Sequence, residues 1–247
     1  MMKKVTHLLL LFFFSFEIIS LFGQSATLHY IDYKIDKQLK VDSSMIKMLT
    51  PYTDSVNHTM NKVIGFSMRT MMKQQPESIL GNFMADCLKK MAEKKFNKKI
   101  DVAVVNYGGI RSYLPKGDIS IDRVYELMPF DNLIVLLELK GNVLLQLLNQ
   151  TAEKGGWPVA GITMKIKEKH AVDILIDNKP LDESATYVVA VSDYLANGGD
   201  DCAMLRNIPQ LNVGYLFRDA LVAYISQYAE EGKPIDIKVE NRVMYVN

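Results

Sequence analysis

The segment from residue 100 to residue 111 reads IDVAVVNYGGIR and changes character at its middle. Its first part, Ile100 to Val105, has the apolar pattern of a buried strand. The second part, Asn106 to Arg111, contains a glycine pair, which permits positive φ angles and a close approach by a ligand. The segment therefore predicts a buried strand that leads into a glycine loop.

A second segment with the same organisation lies near the C-terminal end of the chain. Residues 187–200 read YVVAVSDYLANGGD, again a predicted strand followed by a glycine pair. Glycine loops between strands and helices are suited to binding anions or sugars. A glycine pair alone is more typical of a plain turn, so the residues around each pair decide between the two interpretations.

The remaining sequence alternates between strand and helix patterns. Further strands are predicted at 63–67, 133–139, 162–166 and 172–176, and helices are predicted from Pro76, after residue 139 and over 216–229. No internal repeat and no linker rich in Pro, Gly or Ser divides the chain. This alternation predicts a mixed α/β (α+β) domain of layered sheets and helices.

Composition excludes several classes of protein. The chain has 247 residues, with 29 basic and 28 acidic side chains. This balance gives no reason to expect a nucleic-acid partner, and the lysine-rich run at 94–99 is interpreted as a solvated loop. Two cysteines cannot form a four-cysteine zinc cluster. We expect Cys87 and Cys202 to be buried thiols, although export would make a disulfide possible.

The first 23 residues have the features of a secretory signal peptide. Lys3 and Lys4 precede an apolar run, and Gly23 precedes polar residues. An uncleaved membrane anchor is the alternative, but Glu17 interrupts the run and a carboxylate in hydrocarbon is costly. We expect a protein exported to the periplasm or the extracellular space, with no membrane association after cleavage.

The residues beside the two glycine loops match the chemistry of a nucleoside phosphate. Arg111 can bind a phosphate in a bidentate manner, and Asn106 adds an amide. Asp200 can accept hydrogen bonds from sugar hydroxyls, while Phe130 and Tyr194 can stack on a base. Core packing is the alternative interpretation for the two aromatic residues.

Four stretches together resemble the C-terminal domain of the 5′-nucleotidases, a family that includes UDP-sugar hydrolases. They are ESILGNFMAD at 77–86, NYGGIR at 106–111, YELMPFDN at 125–132 and YLANGGD at 194–200. Their order and spacing fit the family over about residues 60–245. After the signal peptide predicted at 1–23, the resemblance implies an extension with a linker-like helix at 24–62 and a substrate-binding domain at 63–247.

The resemblance also implies a role for each candidate residue. It implies that Asn106 and Arg111 contact the phosphate, and that Phe130 and Tyr194 hold the base between them. Asn132 is implied to contact the base and Asp200 to bind the ribose. The supporting loops are implied to be formed by Gly108, Gly109, Gly198 and Gly199. The sequence departs from the family shortly before Glu77, where members often carry an arginine. Here the nearby basic residue is Lys73. The sequence also departs at Asp201 and Cys202, which replace a small residue and an aromatic one.

No catalytic or metal-binding residues are predicted in this chain. Family members carry two metals in a separate metallophosphoesterase domain, whose motifs D-x-H, G-N-H-E and G-H-x-H do not occur here. We therefore expect no cofactor in this chain and divalent metals only in a partner catalytic domain.

Three functions remain open from the sequence. The chain is the substrate-binding half of a split phosphohydrolase in nucleotide catabolism, whose catalytic domain is on a separate metallophosphoesterase chain. Alternatively, it is a nucleoside- or nucleotide-binding protein without catalysis, or a degenerate structural domain that binds no ligand.

Overall fold

We describe the protein from a computed structural model, in which residues 30–34, 36 and 40–246 are described. The predicted signal peptide at 1–23 lies outside these residues. The chain divides into two units, residues 1–48 and 49–247. In the first unit, residues 30–34 and 36 are exposed and form neither helix nor strand. The division predicted between residues 62 and 63 stays a prediction.

A helix begins at the end of the first unit, at the Asp-Ser-Ser sequence that predicts a helix start. The Asp42 carboxylate accepts hydrogen bonds from the backbone nitrogens of Ser44, over 2.9 Å, and Met45, over 3.1 Å. This is the usual way in which an aspartate caps free amide groups at a helix N-terminus. The helix continues through Pro51 to Met60.

The described part of the chain contains six α-helices and eleven strands. The helices are α1 (Ser43–Met60), α2 (Ile79–Phe96), α3 (Ile121–Leu127), α4 (Gly141–Glu153), α5 (Asp193–Ala196) and α6 (Phe217–Glu230). The strands are β1 (Val63–Ser67), β2 (Val102–Val104), β3 (Gly117–Ser120), β4 (Leu133–Lys140), β5 (Val159–Ala160), β6 (Ile162–Lys167), β7 (His170–Ile176), β8 (Lys179–Pro180), β9 (Thr186–Ser192), β10 (Gln210–Leu216) and β11 (Val243–Tyr245).

A five-stranded mixed sheet forms the centre of the second unit, in the order β10-β4-β9-β2-β5. Helices α2 and α6 pack on one face with one apolar cluster, and α4 packs on the other with a second cluster. A four-stranded sheet, β11-β6-β7-β8, packs beyond α4. The near-continuous apolar sequence of β4 follows from this arrangement, because both faces of the sheet are covered.

Strand directions place three segments at one edge of the central sheet. Strand β2 runs parallel to β9, with Val102 opposite Val189. Strand β4 runs antiparallel to β9, with Ile134 opposite Ser192. The loops after β2 and β9 therefore lie at the same edge as the segment that enters β4. The mixed α/β fold class is confirmed.

Three sequence expectations need correction. The lysine-rich run at 94–99 is not all loop, because Lys94 and Lys95 lie in the last turn of α2, which ends at Phe96. The second helix begins at Ile79 rather than Pro76, because Ser78 caps it by accepting a hydrogen bond from the backbone nitrogen of Gly81. Strands β3 and β10 are not predicted from the sequence. Polar or glycine residues interrupt both, and β10 is an edge strand with most of its residues exposed, which weakens the alternation of buried and exposed positions.

Candidate functional site

A cavity of about 300 Å³ opens at the sheet edge where the three segments meet. The loop after β2 contributes four lining residues, the segment before β4 contributes two, and the region after β9 contributes two. They are Asn106, Gly108, Gly109, Arg111, Phe130, Asn132, Tyr194 and Asp200. The structure thus brings eight of the ten predicted site residues into one cavity, while their role in binding stays a prediction.

The other two predicted residues, Gly198 and Gly199, do not line the cavity, but Gly199 lies against the lining residue Tyr194. A Cβ atom on Gly199 would lie 2.5 Å from the Tyr194 ring, closer than real Cβ contacts allow. The ring therefore packs over Gly199 only because this residue has no side chain. Gly198 has φ +90°, a left-handed conformation that favours glycine.

Asp200 is the centre of a hydrogen-bond network inside the cavity. Its Oδ2 atom accepts a hydrogen bond from Nδ2 of Asn106 over 2.7 Å, and its Oδ1 atom accepts one from the Tyr194 hydroxyl over 3.0 Å. The backbone nitrogen of Asp200 donates to the same hydroxyl over 3.3 Å. The first two contacts fix the carboxylate, and the third involves the backbone of Asp200, which has a left-handed conformation with φ 49° and ψ 40°.

The hydrogen bond to Asp200 changes the acidity of Tyr194. It raises the pKa of the Tyr194 hydroxyl above its ordinary value, and partial burial acts in the same direction. The phenol is consequently a neutral donor at physiological pH. Tyr194 is 45% exposed and lines the cavity, so part of the residue is accessible to a ligand.

Asn106 is held in place by the close approach of the backbone at Gly109. The Asn106 side chain is buried, and a Cβ atom on Gly109 would lie 2.9 Å from its Oδ1 atom. The glycine therefore lets the loop curl around the amide. This explains why a glycine stands three residues after the asparagine.

Arg111 supplies the positive charge that faces the cavity. Its Nη1 atom donates a hydrogen bond to the backbone oxygen of Gly108 over 3.3 Å, and its Cζ atom lies 5.9 Å from the centre of the Phe130 ring. The side chain is exposed and keeps most of its five N–H donors free for a ligand anion.

The segment before β4 carries Phe130 and Asn132 without regular secondary structure. Phe130 is 39% exposed. The backbone oxygen of Asn132 accepts a hydrogen bond from the backbone nitrogen of Phe217 over 2.9 Å. Asp193 joins this segment to the loop after β9, because its Oδ1 atom accepts hydrogen bonds from the backbone nitrogens of Leu133 and Tyr194.

Lys73 lies against the first glycine loop rather than among the lining residues. Its ammonium donates to the backbone oxygens of Ile110 over 2.7 Å and Tyr107 over 3.3 Å, and it lies 4.3 Å from the centre of the Tyr107 ring. Burial lowers the pKa of Lys73, and the charge of Arg111 adds to this effect. The lysine braces the loop that carries Arg111.

The two departures after Asp200 have structural explanations. Asp201 forms an ion pair with Nζ of Lys154 at 2.7 Å, which compensates its charge and lowers the pKa of its carboxyl group. Cys202 is a buried free thiol, and so is Cys87. The expectation of two buried thiols is confirmed.

One contact to the network is not predicted from the sequence. The Nε2 atom of Gln150, in α4, donates a hydrogen bond to the backbone oxygen of Asp200 over 3.1 Å. No signal in the sequence singles out this glutamine, because a polar residue at that position of an amphipathic helix is expected to face solvent.

The described residues offer no site for a catalytic metal. Among residues 30–34, 36 and 40–246, no group of three or more His, Cys, Asp or Glu side chains is placed to hold an ion. His58 and His170 are exposed, and His29 lies outside the described residues. Within the same residues, no helix is long and apolar enough to cross a membrane.

Comparisons with known proteins agree on one family. A family model described as the C-terminal domain of 5′-nucleotidases matches residues 55–207. A 5′-nucleotidase of Vibrio cholerae is 28% identical over 214 residues, which are 81% of this chain and 36% of that protein. Protein UshA of Escherichia coli is 32% identical over 145 residues, 56% of this chain and 26% of that protein.

Solved structures show the same similarity at the level of the fold. The 5′-nucleotidase precursor of Thermus thermophilus superposes with a TM-score of 0.72 at 26% identity, covering 81% of this chain and 43% of that one. The NAD nucleotidase of Haemophilus influenzae has a TM-score of 0.63 at 16% identity, covering 83% and 41%. The chain spans about a third of the length of the curated relatives it matches.

Proposed function

The chain belongs to the family of 5′-nucleotidase C-terminal domains, and from this we propose that its cavity binds a nucleotide or nucleoside. The observation that carries this proposal is the composition of the cavity. Two half-exposed aromatic rings, a free guanidinium and a carboxylate–amide pair line one space of about 300 Å³. Each group matches one part of a nucleotide.

The proposed binding mode assigns one part of the ligand to each group. The base stacks between Phe130 and Tyr194. Such stacking is possible for any base and contributes about 1–3 kcal/mol per base. The ribose hydroxyls donate to Asp200, the phosphate accepts from Arg111 and Asn106, and Asn132 contacts the base edge. Gly108 and Gly109 let the ligand approach the backbone.

We further propose that the chain is the substrate-binding part of a phosphohydrolase in nucleotide catabolism. Its described residues do not fit a catalytic metal, so the hydrolytic step belongs to a metallophosphoesterase domain, which we place on a partner chain. Substrate positioning by this cavity would then lower the barrier of a reaction performed elsewhere. The partner docks beside α1, whose Leu49, Tyr52 and Val56 are exposed.

Calorimetry with adenosine and AMP tests the binding proposal. We expect both to bind, with AMP binding more tightly because of Arg111. Arg111→Ala should remove the advantage of AMP, since a hydrogen bond to a charged group contributes about 1.5–3 kcal/mol. The affinity for adenosine should change less than about twofold, because adenosine has no phosphate for Arg111 to bind. Arg123→Ala is the matched control, because Arg123 is exposed and pairs with Glu126 outside the cavity. Absence of binding by either ligand would reject the proposal.

The split-enzyme proposal is tested by measuring phosphate release from AMP. The measurement is made with and without an exported metallophosphoesterase that lacks this domain. We expect hydrolysis only when both chains are present. Hydrolysis by this chain alone would contradict the division of roles. Binding of AMP with no hydrolysis in either case would favour a binding protein without catalysis.

Export is part of the same proposal and depends on residues 1–23, which lie outside the described part of the chain. We propose that the mature protein is periplasmic or extracellular and begins at Gln24. The N-terminal sequence of the protein recovered from the exported fraction tests this. A mature chain that retains Met1, or a protein found only in the cytoplasm, would contradict it.

A further inference from the structure

An arginine outside the cavity contacts the segment that carries Phe130. Arg218 is the second residue of α6, is only 9% exposed and does not line the cavity. A cation in the first turn of a helix faces the positive end of the helix dipole, which is an unfavourable position for it. Its burial at that position calls for a role other than stabilising the helix.

The guanidinium of Arg218 holds two successive residues of this segment. Its Nη2 atom lies 2.5 Å from Oδ1 of Asp131, and its Nη1 atom donates to the backbone oxygen of Phe130 over 3.4 Å. The Tyr125 ring covers the guanidinium, with 4.3 Å between Cζ and the ring centre. The Arg218 side chain thus connects α3, α6 and the segment before β4.

The contacts of Arg218 are expected to contribute little to the free energy of unfolding. Asp131 has an 80% exposed side chain, so its attraction for Arg218 is screened by solvent. The Nε atom of Arg218 is buried and has no hydrogen-bond partner among the described residues. A buried donor without a partner is destabilising, and such a group in a folded protein requires an explanation.

The explanation lies in the segment that the arginine holds. Residues 128–132 form neither helix nor strand, so no ladder of backbone hydrogen bonds fixes their conformation. Within the part of the chain that the structure describes, the hydrogen bonds between this segment and α6 are the one between Phe217 and Asn132 and those of Arg218 to Phe130 and Asp131. A ring that is ordered before the ligand arrives loses less conformational entropy on binding.

We propose that Arg218 is a positioning residue that holds Phe130 in its base-stacking orientation and so sets the affinity of the cavity for the base. This inference rests on the proposed function, because it assumes that Phe130 stacks on a base. It differs from that proposal in assigning part of base recognition to a residue that the ligand never touches.

The experiment compares a ligand with a base and a ligand without one. Adenosine and ribose 5-phosphate are titrated into the wild-type chain, Arg218→Met, which keeps much of the volume, and Arg218→Lys, which keeps the charge. In Arg218→Met we expect adenosine affinity to fall about threefold to tenfold, the range for ordering one side chain, and ribose 5-phosphate affinity to change less than twofold. Arg218→Lys should recover most of the adenosine affinity, because an ammonium can still reach Asp131 and Tyr125.

A double-mutant cycle shows whether the effect passes through Phe130. In a Phe130→Ala background, Arg218→Met should cause no further loss of adenosine affinity, because the ring that it positions is gone. Thermal unfolding of every variant shows whether it is folded. If Arg218→Met is not, Asp131→Asn supplies the test, because Asp131 is exposed and its substitution weakens the same contact. Adenosine affinity should again fall while ribose 5-phosphate affinity stays within about twofold.

The contrary outcomes are distinct. An equal loss for both ligands, or the same loss of adenosine affinity with and without Phe130, would overturn the positioning role. If the wild-type chain binds neither adenosine nor ribose 5-phosphate, the proposed function itself fails and this inference falls with it. A wild-type chain that binds both ligands, together with unchanged affinities in Arg218→Met, overturns this inference alone.

Discussion

The Tyr194 hydroxyl donates a hydrogen bond to Oδ1 of Asp200 over 3.0 Å, while Oδ2 of the same carboxylate is held by Asn106 over 2.7 Å. The base-stacking ring and the ribose-binding carboxylate of the proposed site are therefore one hydrogen-bonded unit. A ribose hydroxyl that approaches Asp200 must share this acceptor with the tyrosine. Base stacking on Tyr194 and ribose binding by Asp200 therefore depend on each other.

Tyr194→Phe should strengthen ribose recognition while keeping the stacking ring. The change frees Oδ1 of Asp200 for a ribose hydroxyl. We expect the affinity ratio of adenosine to 2′,3′-dideoxyadenosine to rise about twofold to tenfold. This is less than a full hydrogen bond to a charged group contributes, about 1.5–3 kcal/mol, because the ribose already shares this carboxylate in the wild type. Calorimetry measures the ratio, and Tyr245→Phe, which loses only a hydrogen bond to Gly155, is the control. An unchanged ratio would show that the hydroxyl does not compete with the ligand.

Phe130→Ala should weaken adenosine binding by about 5- to 150-fold, because stacking on one ring contributes about 1–3 kcal/mol. The matched control is Phe66→Ala. Phe66 is 42% exposed, against 39% for Phe130, and lies in β1 outside the cavity. Fluorescence or calorimetric titration gives both dissociation constants. Equal effects of the two substitutions would mean that Phe130 does not contact the base.

Gly199→Ala should disrupt the cavity without unfolding the domain. The new Cβ atom would lie 2.5 Å from the Tyr194 ring, so the ring must move and its hydrogen bond to Asp200 must break. We expect adenosine affinity to fall about 5- to 150-fold, as for the loss of one stacking ring, and the far-ultraviolet circular dichroism spectrum to remain nearly unchanged. Unchanged adenosine affinity in a folded Gly199→Ala variant would show that the position of the Tyr194 ring does not matter for the ligand.

Arg242→Met should destabilise the fold far more than it affects the cavity. Arg242 makes a two-point contact with Asp86 at 2.7 and 3.0 Å, and the two side chains are only 11% and 18% exposed. Removing one partner of a buried ion pair costs about 3–5 kcal/mol of unfolding free energy. Urea unfolding measures it. Lys165→Met, in an exposed pair with Asp173, should cost at most about 1 kcal/mol.

Both cysteines should resist thiol reagents in the folded protein. Burial raises the pKa of Cys202 to about 12 and holds that of Cys87 well above its ordinary value. Only the thiolate reacts, and at pH 8 both groups are protonated and enclosed. Titration with Ellman's reagent should detect almost no thiol in the native chain and two in urea. Fewer than two thiols in urea without a reductant would indicate a disulfide.

The sequence predicted those helices and strands whose hydrophobic pattern or capping residue lies within the element or next to it. The strand over 63–67 is present as β1, and the helix start at Asp42 is confirmed because the capping side chain and its amide partners are adjacent in the chain. Strand β10 escaped prediction because it gains its conformation from pairing with β4 rather than from its own residues.

The order of amino acids was enough to establish the fold class, the family and which side chains carry the proposed binding chemistry, since glycine pairs, aromatic residues and the arginine are local features. It could not establish that Phe130 lies beside Arg111 and lines the same cavity as Tyr194. That proximity follows from the strand order, because β2 parallel to β9 and β4 antiparallel to β9 bring three distant segments to one edge. The role of Arg218 depends on the folded chain for the same reason. Its partner, Asp131, is 87 residues away along the chain, and only the packing of α6 brings them together.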